Sequence, residues 1–374
     1  MDRVAKLKLL TRAAQYDLCA ACGAQASRVR DEIGQWLYPA SLPDGKRVTL
    51  LKILQSSLCE NDCLYCANRR SRDVERSTLG PEELAATFDE LVRRNRAQGL
   101  FLSSAVWNSA SRSMEQMIAT VELVRFKYHF TGYVHLKLLP GCEKAAVERA
   151  VQIADRVSVN LEAPSAGHLQ RLSGDKHFER DLLQPMEWAK QFREAHLGAK
   201  AGLTTQFVIG AAGESDQEIL ALVERLYREH NLTRAYFSAF QPIPDTPLEH
   251  LPATPPLREH RLYQSDFLLR HYGFTLQDLT FDRNGYLDVD VDPKMAWAQR
   301  HPEYFPLEIN RASKEQLLRV PGIGPRSAAR ILRARRESKL RYMEDLHALG
   351  IETKRAAPFI LLDGHCPPQQ LALW

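Results

Sequence analysis

The chain lacks the features of a membrane-spanning or secreted protein. Its 374 residues contain no apolar run of about 18 residues, the length needed for a transmembrane helix. The first residues, MDRVAKLKLLTRAAQYD, carry scattered charges and no long apolar core of the kind found in secretion signals. We therefore expect a cytoplasmic protein with no membrane partner.

The chain also lacks the cysteine pattern of a disulfide framework. It has seven cysteines, an odd number for a long chain without a secretion signal, so a set of disulfides is not expected. Two of them form the pair Cys19 and Cys22, for which a second cluster, a redox loop and a small buried turn all stay open. Cys142 and Cys366 are isolated in the sequence and are expected to be ordinary residues.

Strong net charge is absent as well, but the charge that exists is unevenly distributed. The whole chain has a formal net charge of +4. Residues 307–374 contain twelve Lys and Arg against seven Asp and Glu, so the positive excess lies at the C-terminal end. A basic C-terminal segment indicates an acidic partner, and nucleic acid is the first candidate.

What the chain does have is a regular alternation of strands and helices. Six apolar, strand-like segments are separated by helical ones: 48–57, 100–107, 134–140, 156–164, 203–210 and 234–243. Apolar strands in a β–α alternation indicate a parallel sheet buried on both faces. We predict an α/β fold in which these segments form a partial (β/α)6 TIM-type barrel. Functional residues are then expected at the carboxyl ends of the strands.

Three of the seven cysteines follow the first predicted strand. The segment SLCENDCLYCANRR places Cys59, Cys63 and Cys66 within eight residues. Clustered thiolates bind soft metals and iron–sulfur clusters, and three ligands leave the fourth iron of a [4Fe–4S] cluster open. No His lies between Thr49 and Arg76 to complete a zinc site. A zinc knuckle and unligated thiols remain as the simpler alternatives.

This cysteine spacing after the first strand of a β/α repeat resembles the signature of the radical S-adenosylmethionine (SAM) superfamily. The resemblance covers about residues 48–250 and includes the segments VIGAAGES and FSAFQPIPDTPL. It implies a [4Fe–4S] cluster, SAM as the second cofactor and a 5′-deoxyadenosyl radical that abstracts hydrogen from a substrate. It also implies an electron-donating reductase, such as flavodoxin or ferredoxin, as a partner.

The same resemblance implies a set of cofactor-binding residues. Tyr65 would lie against the adenine, and Ser103 and Ser104 would stand at the strand end that holds the methionyl amino group. Members of the superfamily often carry a glutamate there, and this chain has only serines. The remaining implied residues contact the ribose or carboxylate, or the adenine through the backbone, and are Asn160, Glu162, Ile209 and Gly210.

The stretch RVPGIGPRSAARILRARRE indicates a second kind of site. Two glycines around one apolar residue permit a tight turn between two helices, and its amides lie at a helix N-terminus, where phosphate oxygens bind. The pattern resembles a helix-hairpin-helix motif, with a degenerate copy over residues 343–362. The residues predicted to contact nucleic acid are Gly322, Ile323, Gly324, Arg326 and Arg330. Packing against another protein is the alternative use of such a hairpin.

These predictions divide the chain into four parts. They are an N-terminal helical extension, the radical SAM partial barrel, a bridge made of one helix and irregular structure, and a small all-α tandem helix-hairpin-helix domain: 1–47, 48–250, 251–306 and 307–374. The combination resembles radical SAM proteins assigned to DNA modification or repair. We expect an enzyme acting on a nucleotide in DNA. An RNA-modifying enzyme and a nucleic-acid-binding protein with a structural or redox-sensing cluster remain as alternatives.

Overall fold

The computed structural model describes residues 2–14, 29–30, 36–41 and 47–367, and these residues form two compact units. The barrel unit comprises Met1–Glu214 and Arg225–Glu259, and the C-terminal unit comprises Ser215–Glu224 and His260–Trp374. The predicted bridge, residues 251–306, is divided between the two units: residues 251–259 fall in the barrel unit and residues 260–306 in the C-terminal unit. The pair Cys19 and Cys22 lies outside the described residues.

One sheet of eight strands forms the centre of the barrel unit, and its spatial order follows the chain order. The strands are β1 (Val29–Arg30), β2 (Trp36–Ser41), β3 (Arg47–Leu54), β4 (Gly99–Ser103), β5 (Tyr133–Lys137), β6 (Arg156–Ser158), β7 (Gly202–Ile209) and β8 (Arg234–Ala239). β1, β2 and β3 pair antiparallel, whereas β3 to β8 are parallel throughout. The six predicted parallel strands and the curled half barrel that they form are confirmed.

Helices connect the parallel strands as the sequence predicts. In the first part of the chain they are α1 (Arg3–Ala13), α2 (Pro81–Arg93), α3 (Ala110–Glu122), α4 (Lys144–Ile153), α5 (Ala166–Gln170), α6 (Gln184–Glu194), α7 (Asp216–Glu229) and α8 (Pro256–His271). α2 shows why they pack: Leu84, Phe88 and Leu91 recur on one face and are almost fully buried. No helix among the described residues is long and apolar enough to cross a membrane.

The two faces of the half barrel differ more than the apolar strand pattern predicts. Leu100, Leu102 and their counterparts on β5 are fully buried. Between them, Phe101 and His135 stack face to face with ring centroids 4.1 Å apart. The Lys52 ammonium lies 4.8 Å from the centroid of the Phe101 ring. The strands therefore pair an apolar face with one that carries polar and aromatic side chains.

Two predicted segments differ from the structure. The segment 1–47, predicted as helical, contains α1 but also β1 and β2, which extend the sheet beyond β3. Pro39 lies within β2, and proline in a short run argues against a strand when only the sequence is read. The bridge, predicted as irregular after its first helix, contains α9 (Pro293–Arg300), which starts after the capping residue Asp292.

The C-terminal unit ends in four short helices around a small core. They are α10 (Lys314–Arg319), α11 (Pro325–Glu337), α12 (Met343–Ala348) and α13 (Thr353–Ala356). Buried Leu317, Ile331 and Leu346 belong to the core, so both hairpins share one apolar interior. The module is not purely helical, because β9 (Leu307–Glu308) pairs in parallel with β10 (Ile360–Leu361) and joins its two ends.

Candidate functional site

The cysteine loop, residues 58–66, follows β3 at the carboxyl edge of the parallel sheet. Cys63 is buried, and Cys59 and Cys66 are partly buried. The Glu60 amide donates to the carbonyl of Val106, just beyond β4, over 2.7 Å. The three thiols therefore lie at the edge where the β/α topology predicts functional residues.

Arg76, which follows the cysteine loop in the sequence, holds the loop in shape through hydrogen bonds. The Arg76 guanidinium donates to four backbone carbonyls, those of Ser57, Asn68, Arg69 and Arg72, over 2.5 to 3.0 Å. This set of four hydrogen bonds, called the Arg76 clamp here, ties the start of the loop to the chain that leaves it. Arg76 therefore serves the backbone of its own loop.

An ion pair between two side chains fixes the middle of the loop. Arg69 forms an ion pair with Asp62, with 2.6 Å between Nη2 and Oδ2 and a further hydrogen bond of 2.8 Å from Nε to Oδ1. The hydrogen bond from this guanidinium, helped by those from Ser71 and opposed by burial, holds the pKa of Asp62 far below its usual range. Asp62 is therefore ionised at neutral pH and acts as a structural anion.

A distant segment, residues 172–177, packs along the cysteine loop and is called the lysine segment here. The Leu64 amide donates to the Leu172 carbonyl over 2.8 Å, and the Asp62 amide donates to Oδ2 of Asp175 over 2.6 Å. The Cys63 thiol donates to the Ser173 hydroxyl over 3.5 Å. These contacts join positions more than a hundred residues apart, and they fix the backbone around the buried Cys63.

Lys176 brings a buried positive charge to the thiols. Its ammonium group hydrogen-bonds to Cys63 and lies 3.6 Å from Oε1 of Glu162. Burial lowers the pKa of Lys176, but the charges of Cys63, Glu162 and Cys66 outweigh burial and leave the pKa above its usual value. Lys176 is therefore charged at neutral pH. The sequence SGDK around it belongs to no pattern that would have identified it.

Burial and mutual repulsion disfavour the thiolate forms of the cysteines in the loop. Burial raises the pKa of Cys66 to about 12, and the nearby charges of Cys63 and Cys59 raise it too. Burial is also the main reason why the pKa of Cys59 is raised. Crowded thiolates of this kind become stable when a metal supplies positive charge. The donor set, three thiols on one loop, therefore fits an iron–sulfur cluster.

The arrangement does not resemble a closed cage for a single ion. Among the residues that the structure describes, no three His, Cys, Asp or Glu side chains converge closely enough to hold one metal ion. The cysteine ligands of a [4Fe–4S] cluster each bind a different iron, so they do not need to converge on one point.

Tyr65 and Glu162, predicted from different parts of the sequence, meet beside the thiols. The Tyr65 hydroxyl donates to the Glu162 carboxylate, and burial, followed by the Glu162 charge, holds the pKa of Tyr65 well above its usual value. Glu162 has a φ of 66° and is fixed on both sides by β7, through Gln206 and Val208. Two of the predicted cofactor residues and the three thiols therefore belong to one cluster of side chains.

The predicted serines and asparagine lie at the same edge of the sheet. Ser103 ends β4, is buried, and accepts a hydrogen bond from the Gln55 amide through its carbonyl. The Ser104 hydroxyl donates to the neighbouring Ala105 carbonyl over 2.8 Å. Asn160 is buried two residues beyond β6. Their positions follow from the topology, since β4 and β6 both end at this edge.

The segment from Ile209 to Glu214 is held largely by contacts within the protein. The Ile209 carbonyl accepts from the Thr254 hydroxyl over 2.7 Å and from the Phe240 amide over 2.9 Å. The Gly210 amide donates to the Glu214 carboxylate in a short hydrogen bond. The backbone groups predicted to read adenine are thus already engaged. Glu214, which the sequence reading missed, organises the turn.

Gly210 is a glycine for a reason that is visible in the fold. Its φ is +93°, and a Cβ added there would collide with the Thr254 hydroxyl. Both conditions exclude larger residues. Close packing therefore accounts for this glycine without reference to a ligand.

In the C-terminal unit the first hairpin joins α10 to α11 through Gly322, Ile323 and Gly324. Gly322 has a φ of +83°, and a Cβ there would lie 2.8 Å from the Glu352 carbonyl oxygen in the second hairpin. The Ile323 amide donates to the Val320 carbonyl within the turn, so it is already used. The two hairpins therefore pack against each other at Gly322, a residue that the sequence pattern predicts to contact nucleic acid.

The predicted arginines of α11 have different surroundings. Arg326 is exposed at the start of the helix. Arg330 donates to the Leu349 carbonyl in the second hairpin over 2.8 Å, and Arg335 donates to the Ile309 and Ala312 carbonyls over 2.8 and 2.7 Å. Arg330 and Arg335 therefore connect parts of the module, and Arg326 is left as the more direct candidate for a phosphate contact.

A family model and several solved structures match different shares of this chain. Residues 306–354 match the model of the helix-hairpin-helix motif. This identifies the C-terminal hairpins as that motif. A search of curated protein sequences finds no significant match.

Several solved structures resemble part of the chain's fold. Methylornithine synthase (PylB) has 17% identity and a TM-score of 0.48, over 60% of this chain and 63% of that one. The FeFe-hydrogenase maturase HydG from Carboxydothermus hydrogenoformans has 12% identity and a TM-score of 0.48, over 59% and 51%. The radical SAM methyltransferase TsrM from Kitasatospora setae has 12% identity and a TM-score of 0.42, over 54% of this chain and 39% of that one. The chain spans less than two thirds of the length of each of these proteins.

Proposed function

We propose that the chain is a radical SAM enzyme that modifies or repairs a nucleotide in DNA. The observation that carries this proposal is the cysteine loop, in which three thiols lie at the carboxyl edge of a parallel half barrel beside Tyr65 and Glu162. The helix-hairpin-helix motif in the same chain supports a nucleic-acid substrate.

Cys59, Cys63 and Cys66 would hold a [4Fe–4S] cluster and leave one iron for the amino and carboxylate groups of SAM. When bound, the cluster and SAM supply a 5′-deoxyadenosyl radical, which removes a hydrogen atom from the substrate. Tyr65 would lie beside the bound cofactor, and the Arg76 clamp keeps the thiols in place before the metal arrives. The buried position of Cys63 excludes water from that part of the site.

The C-terminal unit would bind the polymer through its phosphates. Amides at the start of α11 and the exposed Arg326 suit phosphate oxygens, and contacts of this type carry little sequence information. Choice of the modified nucleotide would therefore lie with the barrel. A reductase such as flavodoxin or ferredoxin would deliver the electron.

The test is anaerobic incubation of reconstituted, reduced protein with SAM and deuterated DNA. We expect 5′-deoxyadenosine to form and deuterium from the DNA to appear in it. Formation of 5′-deoxyadenosine without deuterium transfer from DNA, but with transfer from RNA, would redirect the proposal to RNA. A reconstituted cluster that leaves SAM intact would instead favour a nucleic-acid-binding protein with a structural or redox-sensing cluster.

A further inference from the structure

Lys176 is a buried charge beside the cysteine loop, and the proposed function does not yet give it a role. Its position is set by two side chains that precede it in the lysine segment. Ser173 accepts from the Cys63 thiol, and Asp175 accepts from the Asp62 amide. The ammonium group is therefore fixed beside Cys63, rather than being carried there by a flexible surface side chain.

The charges around Lys176 are poorly screened. Its side chain is 7% exposed, and that of its ion-pair partner Glu162 is 9% exposed. Charges that are shielded from water and salt interact more strongly than surface charges at the same separation. Lys176 contacts the sulfur of Cys63 directly through a hydrogen bond, whereas Glu162 contacts Lys176 and Tyr65. The Lys176 ammonium is therefore closer to the Cys63 sulfur than the Glu162 carboxylate is.

We infer that Lys176 is a positioning residue that favours uptake of the electron at the cysteine site, and that Glu162 opposes it. One electron passes from the reductase to the cluster, and the site becomes more negative by one charge. A fixed cation that is hydrogen-bonded to a ligand sulfur stabilises that reduced state. Hydrogen bonds to the sulfurs and nearby charge are recognised controls of iron–sulfur reduction potential. This inference rests on the proposed function, since it requires the cluster.

The experiment is a redox titration of the reconstituted full-length protein without SAM, followed by electron paramagnetic resonance of the reduced cluster. Lys176→Met removes the charge, and Lys176→Arg keeps it. Lys200→Met is the matched control, because Lys200 is exposed and lies shortly before β7, at the opposite edge of the sheet. Iron content is measured for every variant, so that loss of the cluster is separated from a change in its potential.

At a fixed potential, Lys176→Met is expected to lower the ratio of reduced to oxidised cluster at least tenfold, which is about 59 mV for one electron. Lys176→Arg should stay within about threefold of wild type, and Lys200→Met should be unchanged. Glu162→Gln should shift the ratio in the opposite direction. A purely structural role for Lys176 would not produce these opposite signs.

An unchanged ratio in Lys176→Met with full iron content would overturn the inference and leave the proposed function intact. If Lys176→Met fails to retain iron, Glu162→Gln decides: a raised ratio supports the inference and an unchanged one overturns it. Absence of a cluster in reconstituted wild-type protein would overturn both the inference and the proposed function.

Discussion

The three thiols of the cysteine loop are the side chains on which the proposed activity depends most directly. Cys59→Ala, Cys63→Ala and Cys66→Ala each remove one ligand, so we expect each variant to lose most of the about four irons that a [4Fe–4S] cluster contributes. Iron and sulfide assays after anaerobic reconstitution, together with the visible absorbance, measure this.

Cys142→Ala is the matched control for the thiols. Cys142 is also buried, but it follows β5 and lies outside the cysteine loop. It should retain the wild-type iron content. Equal iron in wild type and in the loop variants would mean that other residues hold the metal.

We expect Lys294 to make the stability of the C-terminal unit depend on pH. Its ammonium donates to the Ile323 carbonyl over 2.5 Å, and burial lowers the pKa of Lys294 to about 7. In the unfolded chain the pKa is about 10.4. Between these values the unfolded state holds a proton that the folded state has lost, so the free energy of unfolding rises with pH, by at most about 1.4 kcal/mol per pH unit.

Lys294→Met should abolish that rise between about pH 7 and 10. Urea denaturation of wild type and variant at several pH values in this window measures it, because the other titrating groups contribute equally to both proteins. Lys314→Met, at an exposed position, serves as the control and should keep the wild-type slope. Parallel slopes for wild type and Lys294→Met would show that Lys294 keeps an ordinary pKa in the fold.

At the scale of elements, the Arg76 clamp determines whether the cysteine loop is preformed. Arg76→Met removes four hydrogen bonds to carbonyls at once. Charge-assisted hydrogen bonds contribute about 1.5–3 kcal/mol each, so we expect a loss of several kcal/mol in the stability of the loop. The variant should release iron faster on exposure to a chelator.

Arg70→Met is the comparison for Arg76, because Arg70 lies in the same segment but is exposed. Its iron release should match wild type. Similar rates for both variants would assign the loop's rigidity to the lysine segment instead.

The contact between the two hairpins makes Gly322 sensitive to any side chain. Gly322→Ala should cost about 1–2 kcal/mol for its positive φ and about 1–3 kcal/mol more for the clash with the Glu352 carbonyl. Gly364→Ala, with a φ of +85° and open space around it, should show only the first cost. Thermal or urea unfolding of both variants measures the difference.

An equal loss in the two glycine variants would mean that the hairpins separate easily. The same geometry makes a carboxylate at Gly322 a poor probe of phosphate binding. Such a residue would disturb the packing of the hairpins whether or not a phosphate binds there.

At the scale of the whole molecule, nucleic-acid binding should be strongly salt-dependent. For duplex DNA the slope of log affinity against log salt is about −0.9 per neutralised phosphate. Arg326→Ala should reduce the magnitude of the slope by about one. Arg335→Ala should lower stability with little change in slope, because its guanidinium holds backbone carbonyls of its own unit.

Fluorescence anisotropy at several salt concentrations measures these slopes. Arg112→Ala is the control, because Arg112 is an exposed arginine of the barrel unit that pairs with Glu115. If wild type shows no salt-dependent binding, or Arg326→Ala binds as wild type does, the hairpins serve protein packing. A protein substrate would then replace the proposed DNA substrate.

Features that depend on neighbours in sequence could be predicted from the sequence. The parallel half barrel follows from apolar segments repeated between helices, and the hairpin follows from two glycines around Ile323. β2 and α9 were missed because their formation depends on distant partners: β2 pairs with the edge of β3, and α9 is held by contacts to both hairpins through Lys294 and Asp292.

The sequence by itself determined that three thiols occupy one loop, because Cys59, Cys63 and Cys66 are spaced within a few residues and need no tertiary contact to be close. Only the tertiary structure decided what surrounds them. Ser173 meets Cys63 across 110 residues of chain. Lys176 and Glu162 arrive on separate segments after β6. Such contacts form only when the strands pair, since pairing overcomes the entropy of closing the long loops between them.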